Sequence, residues 1–306
     1  MLAGSEFVKL VVMAHKSIPT AVVVSDQHVH SSLRSIQQML PQSWDEVKRR
    51  KVAQVLREMD IQPVILQRVA RALGGYAVAF VLDNSGSMRT PVEQSSFASP
   101  GQSKTRHDEM LGFLNIVLPL IVAQSPEGAD IWLLNQPHTG APGPYRIQNV
   151  QTMDQLTQHL GQPSGHTPLV QTLMQVFAAH QSDMAGEGLH VVVVTDGQPD
   201  DYYDQPGKSA LFNLLSKGSE HRPRPHKCTI SFLVASDNHQ DVEYLDMLDR
   251  RCPFVDVTDD YATERAQVGQ MKRFPRELSV SDWALKAAIY DEQLDASDEP
   301  CHCIIC

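Results

Sequence analysis

The fold is decided by residues 77–87, AVAFVLDNSGS, and residues 191–197, VVVVTDG. Each stretch starts as a continuous apolar run and reaches an aspartate as the run ends. Apolar runs that do not alternate with polar residues are typical of strands buried on both faces, as in a parallel sheet covered by helices. Two buried strands are therefore expected here, each with a carboxylate at its carboxyl end.

The surrounding sequence alternates between strand-like and helical patterns from residue 76 onward. Strands are predicted near residues 76–82, 131–134, 145–149, 189–194, 229–234 and 254–257. Helices are predicted near residues 105–123, 152–160, 168–180, 208–217 and 241–248, and a last amphipathic helix from Ser281 to about Leu294. This alternation predicts an α/β fold with a doubly wound, mostly parallel sheet flanked by helices, of the Rossmann-like kind.

The chain divides into three parts by sequence. Residues 1–74 predict an N-terminal α+β extension: a hairpin of Phe7–Met13 and Thr20–Val24, then helices near 31–40, 43–59 and 62–73. This extension is either a separate small domain or a decoration packed on the main one. Residues 75–296 form the main α/β domain, and residues 297–306 form a cysteine-rich tail.

Composition narrows the function classes. The 306 residues are enough to bury a full-sized core, and their net charge of −10 argues against nucleic acid as the main partner. No glycine-rich nucleotide-binding motif occurs, so no nucleotide cofactor is expected. The N-terminus lacks a secretory pattern, the apolar stretch 113–123 is too short to cross a bilayer, and five cysteines do not make a disulfide framework. A cytoplasmic location is expected.

The first buried run is followed by three oxygen-bearing side chains. Asp83, Ser85 and Ser87 alternate along the loop, so they can converge on one point, and Gly86 is expected to permit a tight backbone path. Ligands of open α/β sheets bind at the carboxyl ends of the strands, near the point where the strand order reverses. The loop is therefore a candidate binding site.

Two later residues extend this site. Asp196 follows the second buried run, and Thr167 lies in the loop S-G-H-T-P before a predicted helix. Two carboxylates and three hydroxyls suit a small hard cation that keeps some of its waters, namely Mg²⁺ with Mn²⁺ as the alternative. Zinc fits poorly because no thiolate or imidazole set accompanies them. The acidic residues Asp200, Asp201 and Asp204 are interpreted as solvated loop charges near the metal.

The motif D-x-S-x-S, the later threonine and the later T-D-G together resemble the metal-ion-dependent adhesion site of the von Willebrand factor A family. All five coordinating positions are filled. The resemblance implies that Ser85 and Ser87 ligate the metal directly, as does Thr167 in the open form. It implies that Asp83 and Asp196 act largely through water, and that one coordination position is left for an Asp or Glu of a protein partner.

The resemblance covers about residues 76–296 and has two departures. His166 stands where many members of the family have a second glycine. Residues 89–104 form a Ser/Pro/Gly-rich insertion where the family usually enters its first helix, and this insertion is either a rim over the metal or a disordered loop. A structural alternative also exists, in which the two aspartates are turn residues and the two serines cap the next helix.

These observations favour a non-enzymatic module that binds a divalent metal and uses it to engage an acidic residue of a protein partner. One alternative is a phosphatase-like, metal-dependent hydrolase with Asp83 as nucleophile. Such phosphatases place a second acid two positions later as general acid/base, where this chain has Ser85. The other alternative is a scaffold that binds no metal.

The tail ends in C-H-C-I-I-C. Its last four residues fit the C-a-a-X pattern, which predicts prenylation of Cys303, and Cys301 is a natural second site for palmitate. Two lipids would tether the protein peripherally to a cellular membrane. A small Cys/His metal clip and an unmodified tail are the alternatives.

Overall fold

The computed structural model of the protein describes residues 33–289, except 60, 75, 94, 96, 98–101, 126, 136–142, 150–155, 157, 159, 198, 206–207, 237 and 270–276. Its strands are β1 (Ala77–Leu82), β2 (Pro91–Val92), β3 (Lys104–Thr105), β4 (Ala129–Leu133), β5 (Tyr145–Ile147), β6 (Leu189–Thr195), β7 (Tyr203–Gln205), β8 (Lys208–Ser209), β9 (Cys228–Val234) and β10 (Val255–Thr258). Its α-helices are α1 (Leu33–Met39), α2 (Glu46–Glu58), α3 (Pro63–Ala72), α4 (Arg106–Gln124), α5 (Leu169–Ala179), α6 (Gln181–Ala185), α7 (Ala210–Leu215), α8 (His239–Arg251), α9 (Tyr261–Gly269) and α10 (Val280–Ala288).

The central sheet has six strands in the order β10-β9-β6-β1-β4-β5. All its neighbouring strands are parallel except β5, which is antiparallel to β4 at one edge. Strand β1 lies in the middle, with β4 on one side and β6 on the other, so the strand order reverses beside it. The α/β fold with a mostly parallel sheet flanked by helices is confirmed.

Both faces of the sheet are buried, as the continuous apolar runs predict. Along β1, Phe80 and Leu82 belong to one hydrophobic cluster, whereas Ala79 and Val81 belong to the cluster on the opposite face. All four side chains are fully buried. Because successive side chains of a strand point to opposite faces, a strand covered on both sides needs apolar residues at every position.

The N-terminal helices pack on the main domain. Val52 of α2 and Val69 of α3 lie in the same buried cluster as Phe113 of α4. Gln62, which precedes α3, donates from its backbone N to Asp282 Oδ1 at 2.7 Å and from its side-chain Nε2 to Asp282 Oδ2 at 3.0 Å. These contacts show how the described helices of this segment pack, and the division of the chain into an extension and a main domain stays a prediction.

Some elements differ from the expectations. The helices α6 and α9 were not predicted, and the last helix ends at Ala288 rather than near Leu294. The predicted helix near 152–160 falls mostly outside the described residues. The predicted hairpin of Phe7–Met13 and Thr20–Val24, and the tail cysteines Cys301 and Cys303, lie wholly outside them, so these stay predictions. In the part of the chain that the structure describes, no helix is both long and apolar enough to span a bilayer.

Candidate metal centre

The two aspartates of the motif are neighbours because their strands are neighbours. Strands β1 and β6 are parallel and in register, with Leu82 opposite Val194. The backbone N of Asp83 donates to Val194 O at 2.9 Å, which continues the ladder to the strand end. Both carboxylates are buried there, with Asp83 0% and Asp196 1% exposed. The site lies at the carboxyl ends of the strands, where the order of the sheet reverses.

The serine hydroxyls join the two carboxylates into one cluster. Ser85 Oγ lies 3.0 Å from Ser87 Oγ, and Ser87 Oγ donates to Asp196 Oδ1 at 2.9 Å. Asp83 accepts from Ser85 N at 2.9 Å and from Thr195 Oγ1 at 2.8 Å. Four of the five expected residues therefore lie in one hydrogen-bonded network.

The structural alternative accounts for only part of this network. Asp83 does act as a turn residue, because its carboxylate accepts from the backbone two residues later. Ser85 stands at the N-cap of the short 3₁₀ helix Gly86–Arg89, but its side chain makes no capping hydrogen bond. Its hydroxyl is directed to Ser87 instead. Capping thus leaves the convergence of the two hydroxyls unexplained.

Burial and like charges disfavour the ionised form of the acidic groups in this cluster. Burial, and then the charge of Asp196, raise the pKa of Asp83 to about 6, and the hydrogen bonds from Ser85 and Thr195 oppose this rise. The pKa of Tyr244, whose hydroxyl donates to Gly197 O at 3.1 Å, lies well above its ordinary value because of burial and these nearby negative charges. A positive charge placed among these groups would relieve both effects.

Thr167 is positioned through its backbone rather than its hydroxyl. Its loop is tied to the aspartate loop by Ser164 N donating to Asn84 O at 2.8 Å and by Gly86 N donating to Gly165 O at 3.3 Å. Among the contacts of the described residues, the Thr167 hydroxyl makes no hydrogen bond to the other four side chains. The structure places it in the adjoining loop, so direct ligation by Thr167 stays a prediction.

Asn135, which follows β4, holds the threonine loop and was missed by the sequence analysis. Its Oδ1 accepts from His166 N at 3.1 Å and its Nδ2 donates to His166 O at 2.7 Å. Gly165 has a φ of +93°, and a Cβ there would lie 2.4 Å from Asn135 Oδ1, so glycine is required at that position. The His166 ring is exposed, and for this reason the loop accommodates a side chain where the family has a second glycine.

Asp200 is exposed and Asp201 is half-buried, so both can be solvated as expected, but both also accept specific backbone hydrogen bonds. Asp200 Oδ2 accepts from Thr167 N at 2.7 Å. Asp201 accepts from Val170 N at 3.1 Å and Gln171 N at 2.9 Å, which caps the first turn of α5. The T-D-G loop thereby fixes the threonine loop from the other side.

Arg106 is the second residue that sequence analysis missed. Its Nη1 donates to Asp196 Oδ2 at 3.0 Å, and its side chain is only 8% exposed. Two contacts position it at the start of α4: its backbone N donates to Thr90 O at 3.0 Å, and Thr105 and Asp108 form a capping box. The capping box could be found from the sequence, but the partner of the guanidinium could not.

One further expectation, about Gly86, is corrected, and part of the insertion after the loop is described. Gly86 lacks a positive φ, and a Cβ there would meet nothing closer than Arg89 Nη2 at 3.7 Å, so a tight path does not require it. The described residues of the insertion 89–104 include secondary structure at both ends. Its ends pair as the β2–β3 ribbon, and Phe97 packs on Trp283 with ring centroids 6.5 Å apart.

The donor set fits a hard divalent cation. It consists of carboxylate and hydroxyl oxygens, which Mg²⁺ and Mn²⁺ prefer. The described residues contain no group of three or more His, Cys, Asp or Glu side chains that could hold a metal ion, so a metal here would depend on the serine hydroxyls and water for most of its ligands.

Comparisons with known proteins do not identify the chain. No protein-family model matches the sequence, and a search of curated proteins finds no match. The resemblance to the von Willebrand factor A family therefore rests on the motif residues themselves.

Proposed function

We propose that the protein is a metal-dependent binding module, in which Asp83, Ser85, Ser87, Thr167 and Asp196 hold Mg²⁺ or Mn²⁺ and the metal engages a carboxylate of a protein partner. The observation that carries this proposal is the convergence of two serine hydroxyls on two buried carboxylates at the reversal point of the sheet. An oxygen set of this kind is what a hard cation with remaining open positions requires.

The exposure of the site supports a partner-facing metal. Ser87 is exposed, whereas Asp83 and Asp196 lie beneath it and are buried. A cation bound on the hydroxyl side would therefore face outward with its charge only partly screened by ligands. Beside this point a cavity of about 570 Å³ is lined by uncharged residues that include the exposed Gln162, Gln171 and Gln175. It offers uncharged polar contacts to groups flanking the partner's acid.

The hydrolase alternative is disfavoured by the surroundings of Asp83. One of its oxygens accepts from Ser85 N and the other from Thr195 Oγ1, and the residue is fully buried. A nucleophilic carboxylate must reach the substrate directly, which this enclosed carboxylate cannot do, whereas the role proposed for Asp83 at the metal is largely through water.

The metal-free scaffold is favoured by one observation, the ion pair of Arg106 with Asp196. The guanidinium supplies part of the positive charge that offsets the two carboxylates. A scaffold that binds no metal would need this built-in charge at all times. The two candidates differ in what they predict for metal binding.

The proposal is tested by titrating Mg²⁺ and Mn²⁺ into the purified full chain by calorimetry. We expect the wild type to bind and a double variant, Asp83→Ala with Ser85→Ala, to lose binding. A matched control, Asp246→Ala with Ser182→Ala, removes the same residue types from exposed positions of α8 and α6 and should bind like the wild type. A folded wild type that binds neither metal contradicts the module and leaves the scaffold.

If metal binds, a second experiment tests whether the metal-loaded protein prefers a carboxylate in its partner. Peptides that contain one aspartate or glutamate should bind the metal-loaded protein more tightly than the same peptides with asparagine or glutamine. Equal affinity for both members of each pair would contradict carboxylate engagement.

A further inference from the structure

Arg106 is fixed against the proposed metal centre rather than free to leave it. Its side chain is buried, and the helix start that carries it is held by the capping box of Thr105 and Asp108 and by the bond of its backbone to Thr90. A guanidinium that is buried and anchored at its root has few alternative positions. It is therefore a permanent positive charge of the site.

Arg106 and Ser87 contact different oxygens of the Asp196 carboxylate. Arg106 donates to Asp196 Oδ2, whereas Ser87 donates to Asp196 Oδ1. A cation bound beside Ser87 would approach the Oδ1 side and leave the arginine contact intact. The guanidinium and the metal can thus be present together, on opposite sides of one carboxylate.

The charge count differs with and without this arginine. Asp83, Asp196 and Arg106 together carry one net negative charge when all are ionised, so a divalent cation leaves the loaded site with one net positive charge. A carboxylate from outside then brings the site to neutrality. In a site with the two aspartates alone, the metal itself reaches neutrality and an added carboxylate overcharges it.

We propose that Arg106 makes the metal and the acidic ligand bind cooperatively, by weakening the binding of the bare cation and strengthening that of a carboxylate once the cation is present. The inference rests on the proposed function. Its physical basis is repulsion between the guanidinium and the cation in a poorly screened site, together with attraction of the same guanidinium for the incoming anion. Coupling of this kind is reciprocal, so acetate raises the affinity for metal by the factor by which metal raises the affinity for acetate.

The test is calorimetric titration of Mg²⁺, with and without excess sodium acetate at matched ionic strength. The proteins are the wild type, Arg106→Gln, Arg106→Lys and the control Arg89→Gln, which removes an exposed arginine at the end of the 3₁₀ helix Gly86–Arg89. Without acetate, we expect Arg106→Gln to bind Mg²⁺ more tightly than the wild type by about tenfold or more. Acetate should increase the affinity of the wild type and of Arg106→Lys by a larger factor than that of Arg106→Gln. Arg89→Gln should resemble the wild type.

A second measurement reports metal affinity even if Arg106→Gln lowers the stability of the protein. The Mg²⁺-induced rise in Tm, measured by scanning calorimetry, should be larger for Arg106→Gln than for Arg106→Lys, because tighter ligands stabilise more. Mg²⁺ binding by the wild type that is unchanged or weaker in Arg106→Gln, with no greater rise in Tm, overturns this inference and leaves the proposed function standing. Absence of Mg²⁺ binding in both proteins overturns the proposed function and the inference with it.

Discussion

Asn84 and Asn135 hold the ends of neighbouring strands together by a reciprocal pair of hydrogen bonds. Asn84 Nδ2 donates to Asn135 O at 2.8 Å, and Asn135 N donates to Asn84 Oδ1, also at 2.8 Å. Asn84 lies inside the D-x-S-x-S loop, and Asn135 also binds the backbone of His166 in the threonine loop. This asparagine pair therefore sets the spacing between the two loops of the proposed metal centre.

Asn84→Ala should lower the free energy of unfolding by about 1–3 kcal/mol, because it leaves a backbone N–H and a carbonyl without their partner. Urea denaturation followed by circular dichroism measures this. The control Asn213→Ala, at an exposed position of α7, should change stability by less than about 0.5 kcal/mol. Equal effects of the two substitutions would show that the asparagine pair does not hold the loops.

Asp83→Asn should change how stability depends on pH in the metal-free protein. Burial and the charge of Asp196 raise the pKa of Asp83 from 3.8 to about 6 in the folded state. The stabilisation that comes from protonated Asp83 is therefore fully present below pH 3.8 and is lost as the pH rises through about 6. The loss amounts to about 3 kcal/mol. The advantage of Asp83→Asn over the wild type should therefore grow between pH 4 and 6. Denaturation in EDTA measures it, and a constant difference across that range would contradict it.

His190 should give the opposite pH dependence. It is fully buried, its Nδ1 lies 2.9 Å from Thr229 Oγ1, and burial lowers its pKa from 6.5 to about 4. The contribution of neutral His190 to the free energy of unfolding is present above pH 6.5. About 3 kcal/mol of it is lost as the pH falls towards 4. Relative to the wild type, His190→Asn should gain stability as the pH falls through this range. The same denaturation series checks this, and parallel curves would contradict it.

Arg222→Met should be among the most destabilising single substitutions. Arg222 is fully buried and donates to the carbonyls of Leu215, Cys228, Pro253 and Phe254, at 2.7 to 3.0 Å. Loss of these charge-assisted bonds should cost about 3–5 kcal/mol, measured by urea denaturation. Arg224→Met, two residues away and exposed, should cost less than about 0.5 kcal/mol. A small effect of Arg222→Met would mean that water replaces the guanidinium.

The strands and the position of the two aspartates could be predicted because their signals are local. A run such as residues 191–194 is apolar at every position, which a strand covered on both faces requires. Once two such runs are recognised as parallel neighbours, the residues that follow them must meet at one edge of the sheet. The convergence of Asp83 with Asp196 follows from this rule alone.

The partners of polar side chains could not be predicted, because each depends on residues far away in sequence. Arg106 is 90 residues from Asp196, and Asn135 is 51 residues from Asn84. Helix α9 was missed for a different reason: Val268 is its only fully buried large apolar side chain among those described, so its apolar pattern is weak. The short helix α6 is separated from α5 by His180 alone, so its sequence cannot be distinguished from a continuation of α5.

The bonds between Gln62 and Asp282 join positions 220 residues apart. During synthesis, the three N-terminal helices leave the ribosome long before α10 exists, and α10 supplies one wall of their shared core. Contacts of such long sequence separation form slowly because a long loop must close first. Phe113 of α4 can cover part of the apolar faces of the early helices as soon as α4 has been made, but the wall that α10 supplies is added only after the last strand of the sheet.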